Sequence, residues 1–252
     1  MLSGVSNKHY GQGYAIGDWE SHFSFRQVKI IDGNNDAIYA ATGNAIFKYD
    51  LKAGDFKTLS TVEGLSGVSI SAIKYHKEFD FLMVGYSSGL VDFVYENEVF
   101  TIPDIQQNTS LNAKAINNIH FSGDTAFLAC DFGLVLLNIP AREVQSTFFL
   151  GSSGDAITTY DVTTDNDSIW VGTDKGVYYA ARTGINLHNY QNWSVLQSLP
   201  DYDFHVPFLE KVSDQLFIAQ SRPEDTTDII YEYIDGNYLQ YYPDKQYRVK
   251  GI

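Results

Sequence analysis

The sequence predicts an all-β chain made of repeated four-stranded antiparallel sheets, on three observations. A short motif recurs, an apolar run followed by glycine and further apolar residues. It stands at Ile38-Tyr39-Ala40…Gly43, Leu82-Met83-Val84…Gly89, Phe127-Leu128-Ala129…Gly133 and Trp170-Val171-Gly172…Gly176. By subtraction of their numbers, the four glycines are 46, 44 and 43 residues apart. The intervals hold several short strand-like runs separated by turn residues, and no stretch keeps a helical period. Aromatics make up 15% of the chain, with 18 Tyr and 16 Phe, and flat side chains pack well on pleated surfaces. A repeat of this length holding four strands is the mark of a β-propeller, each repeat one blade.

Taken in order, about five blades are legible, near residues 25–60, 69–103, 115–150, 157–197 and 206–243. In the first, strands are expected at Val28–Ile31, Ala37–Ala41, Ala45–Tyr49 and Phe56–Leu59. Asp32–Asp36, Thr42-Gly43-Asn44 and Lys52–Asp55 form the turns between them. Gly or Asn in the middle turn is expected to supply a positive φ. The second blade reads Ile70–Tyr75, Phe81–Tyr86, Leu90–Tyr95 and Glu98–Ile102, and the third Ile116–Phe121, Thr125–Cys130, Gly133–Asn138 and Val144–Phe149. The fourth reads Thr158–Val162, Ser168–Gly172, Val177–Ala181 and Trp193–Leu196, and the more divergent fifth Phe208–Val212, Gln215–Ala219, Asp228–Tyr233 and Tyr238–Tyr242. Second strands are nearly all apolar, as Phe127-Leu128-Ala129-Cys130 shows, which fits burial on both faces between stacked blades. Outer strands such as Lys57-Thr58 are more polar, so each blade is expected to grade from buried at the axis to wet at the rim.

Both ends suggest an incomplete propeller belonging to a longer chain. Tyr247–Ile252 reads as the first strand of a further blade, and Trp19–Phe25 as a strand for a final blade that this sequence lacks. Residues 1–15 are read as a leader remnant outside the fold, with the propeller spanning 16–252. Gly13-Tyr14-Ala15 resembles the end of a cleavage site, but Met1–Tyr10 has no apolar core.

A formal charge of −14 argues against nucleic acid as a partner, because phosphate binding needs clustered Lys and Arg. The acidity serves solubility first, and a face for cations or a basic partner second. Cys130 is the one cysteine, so no intramolecular disulfide and no Cys-rich metal site can form, and its apolar surroundings make it structural. No run of about 20 apolar residues spans a membrane.

Several segments resemble the propeller repeats of periplasmic two-component regulators. They are Val62-Glu63-Gly64-Leu65-Ser66, Gly85-Tyr86-Ser87-Ser88-Gly89-Leu90 and Ile169–Tyr178. A more specific resemblance overlays these, from Ile16-Gly17-Asp18-Trp19 with His22 through Pro103-Asp104-Ile105, Ile116-Asn117-Asn118-Ile119, Asp131-Phe132-Gly133-Leu134-Val135 and Leu150–Gly154 to Asn192-Trp193. On these residues the chain is similar to the PorZ-like N-terminal β-propellers of the Bacteroidetes type IX secretion system. That resemblance implies an exported protein at the cell surface or outer membrane, with the periplasm as the alternative. It also implies protein partners in the secretion and sortase complex, and anionic lipopolysaccharide as a further partner. The family places a second propeller and a sorting domain after this one.

Chemistry finds little support in the residues. His9, His22, His76, His120, His188 and His205 are scattered without metal-site spacing. Asp165-Asn166-Asp167 starts like a calcium loop but lacks the remainder, and is read as a turn, as is Asp32–Asp36. Ser66, Ser87 and Ser153 lie near glycines without forming a nucleophile elbow. No catalytic residue, metal ligand or cofactor is therefore assigned, and no individual binding residue. The loops Asp104–Lys114, Arg182–Asn192 and Arg222–Thr227 are long and polar, where a rigid scaffold tends to carry binding. The expected function is non-enzymatic macromolecular recognition in type IX secretion and attachment of cargo to lipopolysaccharide. The alternative is the oligosaccharide-sensing propeller of a hybrid two-component regulator, and a secreted glycan-active enzyme stands third.

Overall fold

A computed structural model describes residues 27–222 and 228–241. These form five four-stranded antiparallel sheets, each a simple meander in chain order. The first contains β1 (Ile30–Gly33), β2 (Ala37–Ala41), β3 (Ile46–Asp50) and β4 (Phe56–Leu59). The second contains β5 (Ile70–His76), β6 (Phe81–Tyr86), β7 (Val91–Val94) and β8 (Val99–Ile102). After a one-turn helix α1 (Asp104–Gln107), the third contains β9 (Ile116–Ser122), β10 (Thr125–Cys130), β11 (Gly133–Asn138) and β12 (Glu143–Phe148). The fourth contains β13 (Thr159–Thr164), β14 (Ser168–Thr173), β15 (Gly176–Ala181) and β16 (Ser194–Val195). The fifth contains β17 (His205–Val212), β18 (Gln215–Ser221), β19 (Asp228–Ile234) and β20 (Asn237–Tyr241). First strands of successive sheets lie against one another, so the sheets radiate as blades from a common axis. The fold is a β-propeller.

Four apolar clusters hold neighbouring blades face to face, one for each adjacent pair. Side chains alternate across a strand, so a central strand serves two clusters at once. On β10, Ala126, Leu128 and Cys130 face blade two, while Phe127 and Ala129 face blade four. This alternation explains why the sequence of that strand is continuously apolar.

The four repeat glycines all sit in the hairpin between second and third strands. Three of them adopt positive φ: Gly89 at 86°, Gly133 at 144° and Gly176 at 99°. At Gly133 a Cβ would stand 2.2 Å from the carbonyl oxygen of Phe148, and at Gly176 1.9 Å from that of Tyr202. Gly43 corrects the expectation. Its turn needs no positive φ at either Gly43 or Asn44, because the Thr42 hydroxyl organises it by accepting from Ala45 N at 3.2 Å.

Other differences are local. β1 starts two residues later than Val28, β13 runs two past Val162, and β16 keeps only two residues. The burial gradient also departs from expectation. The second strands are the most buried, with all six residues of β6 buried, whereas first strands keep half-buried polar side chains such as Ser71, Asn117 and Tyr160. They line an open axis, so wetness returns at the centre. The segments read as leader, as entry strand (Trp19–Phe25) and as the start of a further blade (Tyr247–Ile252) lie outside the described residues.

Candidate functional site

The first strand of every blade has one edge paired to its second strand and the other turned to the axis. Backbone groups on that inner edge need partners, or they face water. Two carboxylates meet part of this need from the preceding blade. Asp32 Oδ2 accepts from Tyr75 N of blade two at 2.5 Å, and Asp161 Oδ2 accepts from Leu209 N of blade five at 3.0 Å. Asp161 Oδ1 also accepts from Asn118 Nδ2 of blade three at 2.6 Å and from Val162 N at 2.8 Å. One buried carboxylate thus ties three blades together. Burial pushes its pKa up to about 7, against the lowering effect of those amide donors.

A second regularity shapes the axis. The pairing of first and second strands shifts register at one matching place in blades two to five, skipping a residue at Ser71, Asn117, Tyr160 and the Val206–Pro207 step. A bulge re-aims a side chain that would otherwise lie between blades. Ser71, Asn117, Tyr160 and Pro207 all line an axial cavity of about 280 Å³ enclosed by the five first strands. Half-buried Lys74 and exposed Glu210 line it further along the strands, together with Asp161 and His120. Asn117 Nδ2 is held by Asp131 Oδ1 at 3.1 Å and the Thr159 carbonyl at 2.8 Å. His120 Nε2 meets Thr164 Oγ1 at 3.0 Å, and burial lowers its pKa to about 4, helped by the charges of Lys74 and Arg182. At physiological pH this histidine is neutral.

At one mouth of the cavity the Tyr160 and His205 rings lie 4.3 Å apart. Burial lowers the His205 pKa while the Asp228 and Asp174 carboxylates oppose that shift. Asp174 Oδ1 and His205 Nε2 are shielded from water without a hydrogen-bond partner among the described residues.

Of the residues and loops noted in the sequence, Asp32, Asn117, Asn118 and His120 line this cavity and His205 lies against its wall residue Tyr160, whereas Cys130, His76, His188, the serines and the long loops lie elsewhere. Cys130 is fully buried on β10, where burial drives its thiol pKa up. His76 packs among Phe79, Phe81 and Phe121 and accepts from Phe79 N at 3.2 Å. His188 rests on Phe148 with ring centres 4.9 Å apart. His9 and His22 lie outside the described residues. Asp165 Oδ1 accepts from Asp167 N and Ser168 N at 2.9 and 2.7 Å, a local turn, and Asn34 Oδ1 does the same for Asp36 N and Ala37 N. Ser66 N and Ser153 N donate to Asp92 and Asp155, while Ser87 N donates to the Ser69 carbonyl. No group of three or more His, Cys, Asp or Glu among the described residues is placed to hold a metal ion.

The long loops fold back on the scaffold. Asp104–Lys114 connects blades two and three on the face of the glycine hairpins. It forms α1, buries Ile105, and closes with Lys114 Nζ donating to the Gln106 carbonyl at 2.5 Å. Arg182–Asn192 joins β15 to β16 and sets His188 on Phe148 and Tyr190 beside Gly154, pinned by Trp193 Nε1 to the Leu187 carbonyl at 2.9 Å and by Arg182 Nη1 to that of Asp165 at 2.9 Å. Of the third loop only Arg222 is described, 3.0 Å from Asp201. Individual motif searches missed the axial residues because each is ordinary by itself. Aligning the repeats on Gly85, Ala129 and Gly172, and reading the first-strand residues opposite, would have brought Ser71, Asn117 and Tyr160 into one layer.

No helix among the described residues is long and apolar enough to cross a membrane. No curated protein matches the chain. Among solved structures, it is similar to PorZ of Porphyromonas gingivalis, described as an essential bacterial surface component of the type IX secretion system. The TM-score is 0.74 at 21% identity, over 89% of this chain and 29% of that one. It is also similar to an extracellular domain of a putative hybrid two-component system from B. thetaiotaomicron, with a TM-score of 0.63 at 15% identity, over 80% and 27% of the two chains. A related extracellular domain from the same organism, described as belonging to a putative one-component system, gives 0.61 at 13%, over 92% and 37%. The chain thus spans well under half the length of each of these three structures. The family model for the N-terminal β-propeller domain of PorZ matches residues 38–194, more than half of the sequence and four of its five blades, and the chain belongs to that family.

Proposed function

We propose that this chain is a non-enzymatic recognition module, exported to the cell surface, that serves type IX secretion and the attachment of cargo to lipopolysaccharide. Membership of the PorZ propeller family over residues 38–194 is the observation that carries the reading. The architecture supports it physically. Loops pinned at both ends and four inter-blade cores make a rigid frame, and a rigid frame loses little entropy when a partner docks. The partners in this reading are proteins of the sortase complex, with anionic lipopolysaccharide as a further ligand, and the chain itself does no chemistry. A pull-down from an outer-membrane extract of a type IX-secreting bacterium, with this chain as bait, should recover sortase-complex proteins or anionic lipopolysaccharide. Recovery of neither, or turnover of a glycan by the purified chain, overturns the reading. A second reading, a periplasmic oligosaccharide sensor, draws on the likeness to two-component extracellular domains. Tight binding of a free oligosaccharide with no recovery of secretion partners would favour it.

A further inference from the structure

Of the charged side chains that line the axial cavity, Lys29, Asp32, Lys74, Asp161 and Glu210, two of opposite sign from distant blades are not brought together by the fold. Lys74 projects from β5 in blade two and Glu210 from β17 in blade five, on strands separated by two intervening blades. Each feels the other. Burial raises the Glu210 pKa and the Lys74 ammonium acts against that rise. Yet no ion pair within 4.0 Å involves either residue among the described ones, and the Glu210 carboxylate is met by the backbone amide of its neighbour Lys211 rather than by a charge. The Asp161 carboxylate stands on the same acidic side, fully engaged by Asn118 and two backbone amides. His120 between the two is neutral and bonded to Thr164, so it supplies no countercharge.

We propose that the axial cavity binds a small zwitterion of the α-amino-acid class, its carboxylate on the Lys74 ammonium and its ammonium on the Glu210 carboxylate. The volume sets the scale of the ligand. About 280 Å³ is at the low end of small-molecule sites. It accommodates one amino acid but cannot enclose an oligosaccharide or a folded segment. Water can fill the gap between the two charges but supplies neither countercharge, whereas a zwitterion supplies both in one molecule. A charge held partly out of water gains most from a fixed opposite charge, and ligand and protein gain together here. Phe208 and Tyr160 on the cavity wall offer apolar and aromatic surface to the ligand's side chain. The site is independent of the partner reading above, since it needs no macromolecule.

The test is isothermal titration of the 252-residue chain with glycine, L-alanine and L-phenylalanine at up to about 10 mM, the range in which weak small-ligand binding is measurable. N-acetylglycine, which lacks the ammonium, and glycinamide, which lacks the carboxylate, serve as half-ligands. At least one zwitterion should bind, with glycinamide, which loses the half-buried Lys74, weaker by about tenfold or more, and N-acetylglycine, which loses the exposed Glu210, weaker by about threefold to fivefold. Lys74→Met and Glu210→Gln should cause the same respective losses with unchanged circular dichroism. The double swap Lys74→Glu with Glu210→Lys should restore binding, since a zwitterion can reverse end for end. Absence of binding by all three amino acids overturns the proposal, as do half-ligands that bind equally well or single variants that bind like the parent. Failure here leaves the pull-down untouched, so the two readings fail separately.

Discussion

Blade three and blade one are built on the same plan and meet different surroundings. In blade three the second strand buries both faces, Leu128 toward blade two and Phe127 toward blade four. In blade one, Tyr39 and Ala41 are buried against blade two, while Ile38 on the other face is 39% exposed. Ile31 and Phe56 lie on that same face at 62% and 69% exposure. Blade five mirrors this, with Leu216 and Ile218 buried against blade four and Leu239 on the far face exposed. An apolar side chain therefore contributes to stability in this architecture only where another blade stands opposite it. Among the described residues, these two faces carry apolar side chains that no blade covers.

The sharpest way to test that contrast is a pair of truncations. Leu128→Ala should cost about 2–5 kcal/mol in urea unfolding, since a fully buried leucine loses both transfer energy and packing. Ile38→Ala should cost less than about 1 kcal/mol, the scale expected where little burial is lost. Equal costs would mean that the open face of blade one is in fact packed.

The repeat glycines offer a second pair. Gly133→Ala places a Cβ against the Phe148 carbonyl at a φ that L-residues avoid, and should destabilise by about 2–4 kcal/mol. Gly43→Ala meets nothing nearer than Lys29 Nζ at 3.8 Å and has no positive φ. It should change stability by no more than about 1 kcal/mol, in the stabilising direction, because alanine restricts the unfolded chain. Thermal midpoints would separate the two, and a large loss at Gly43 would show that its turn is tighter than described.

Asp161, which ties blades three, four and five together, makes their joint stability depend on pH. Its pKa is raised from the ordinary carboxylate value to about 7, so the folded state holds a proton that the unfolded chain has already released. Its contribution is therefore full below about pH 4 and is lost as pH rises through about 7. Asp161→Asn should flatten the slope of stability between those limits, read by chemical unfolding at successive pH values. An unchanged slope would assign the pH dependence to other groups.

The smallest effect on folding is expected on the open faces themselves. Ile31→Thr with Leu239→Thr should shift unfolding by about 0.5 kcal/mol or less, the scale of exposed substitutions. The same pair should lower self-association in analytical ultracentrifugation, and an unchanged sedimentation profile would show that these faces do not associate.

Strand positions were legible in the residues because their signals are local. Alternating apolar runs, Asx turns such as Asn34–Ala37 and the recurrent hairpin glycines act within a few residues of one another. The repeat length then carried the blade count, since each blade closes its own meander before the next begins. The family resemblance was legible for the same reason, in short segments such as Asp131–Val135. What only the tertiary structure decided is everything that depends on a neighbour's presence. Nothing in Ile38 or Leu239 announces that, among the described residues, no blade stands opposite. Nothing in Lys74, Tyr160 or Glu210, drawn from three different repeats, announces that a bulge or a strand edge turns each toward one cavity. Local chain geometry sets the strands, whereas burial, charge pairing and the axial site arise between repeats, from side chains far apart in sequence, such as Asn118 and Asp161, 43 residues apart.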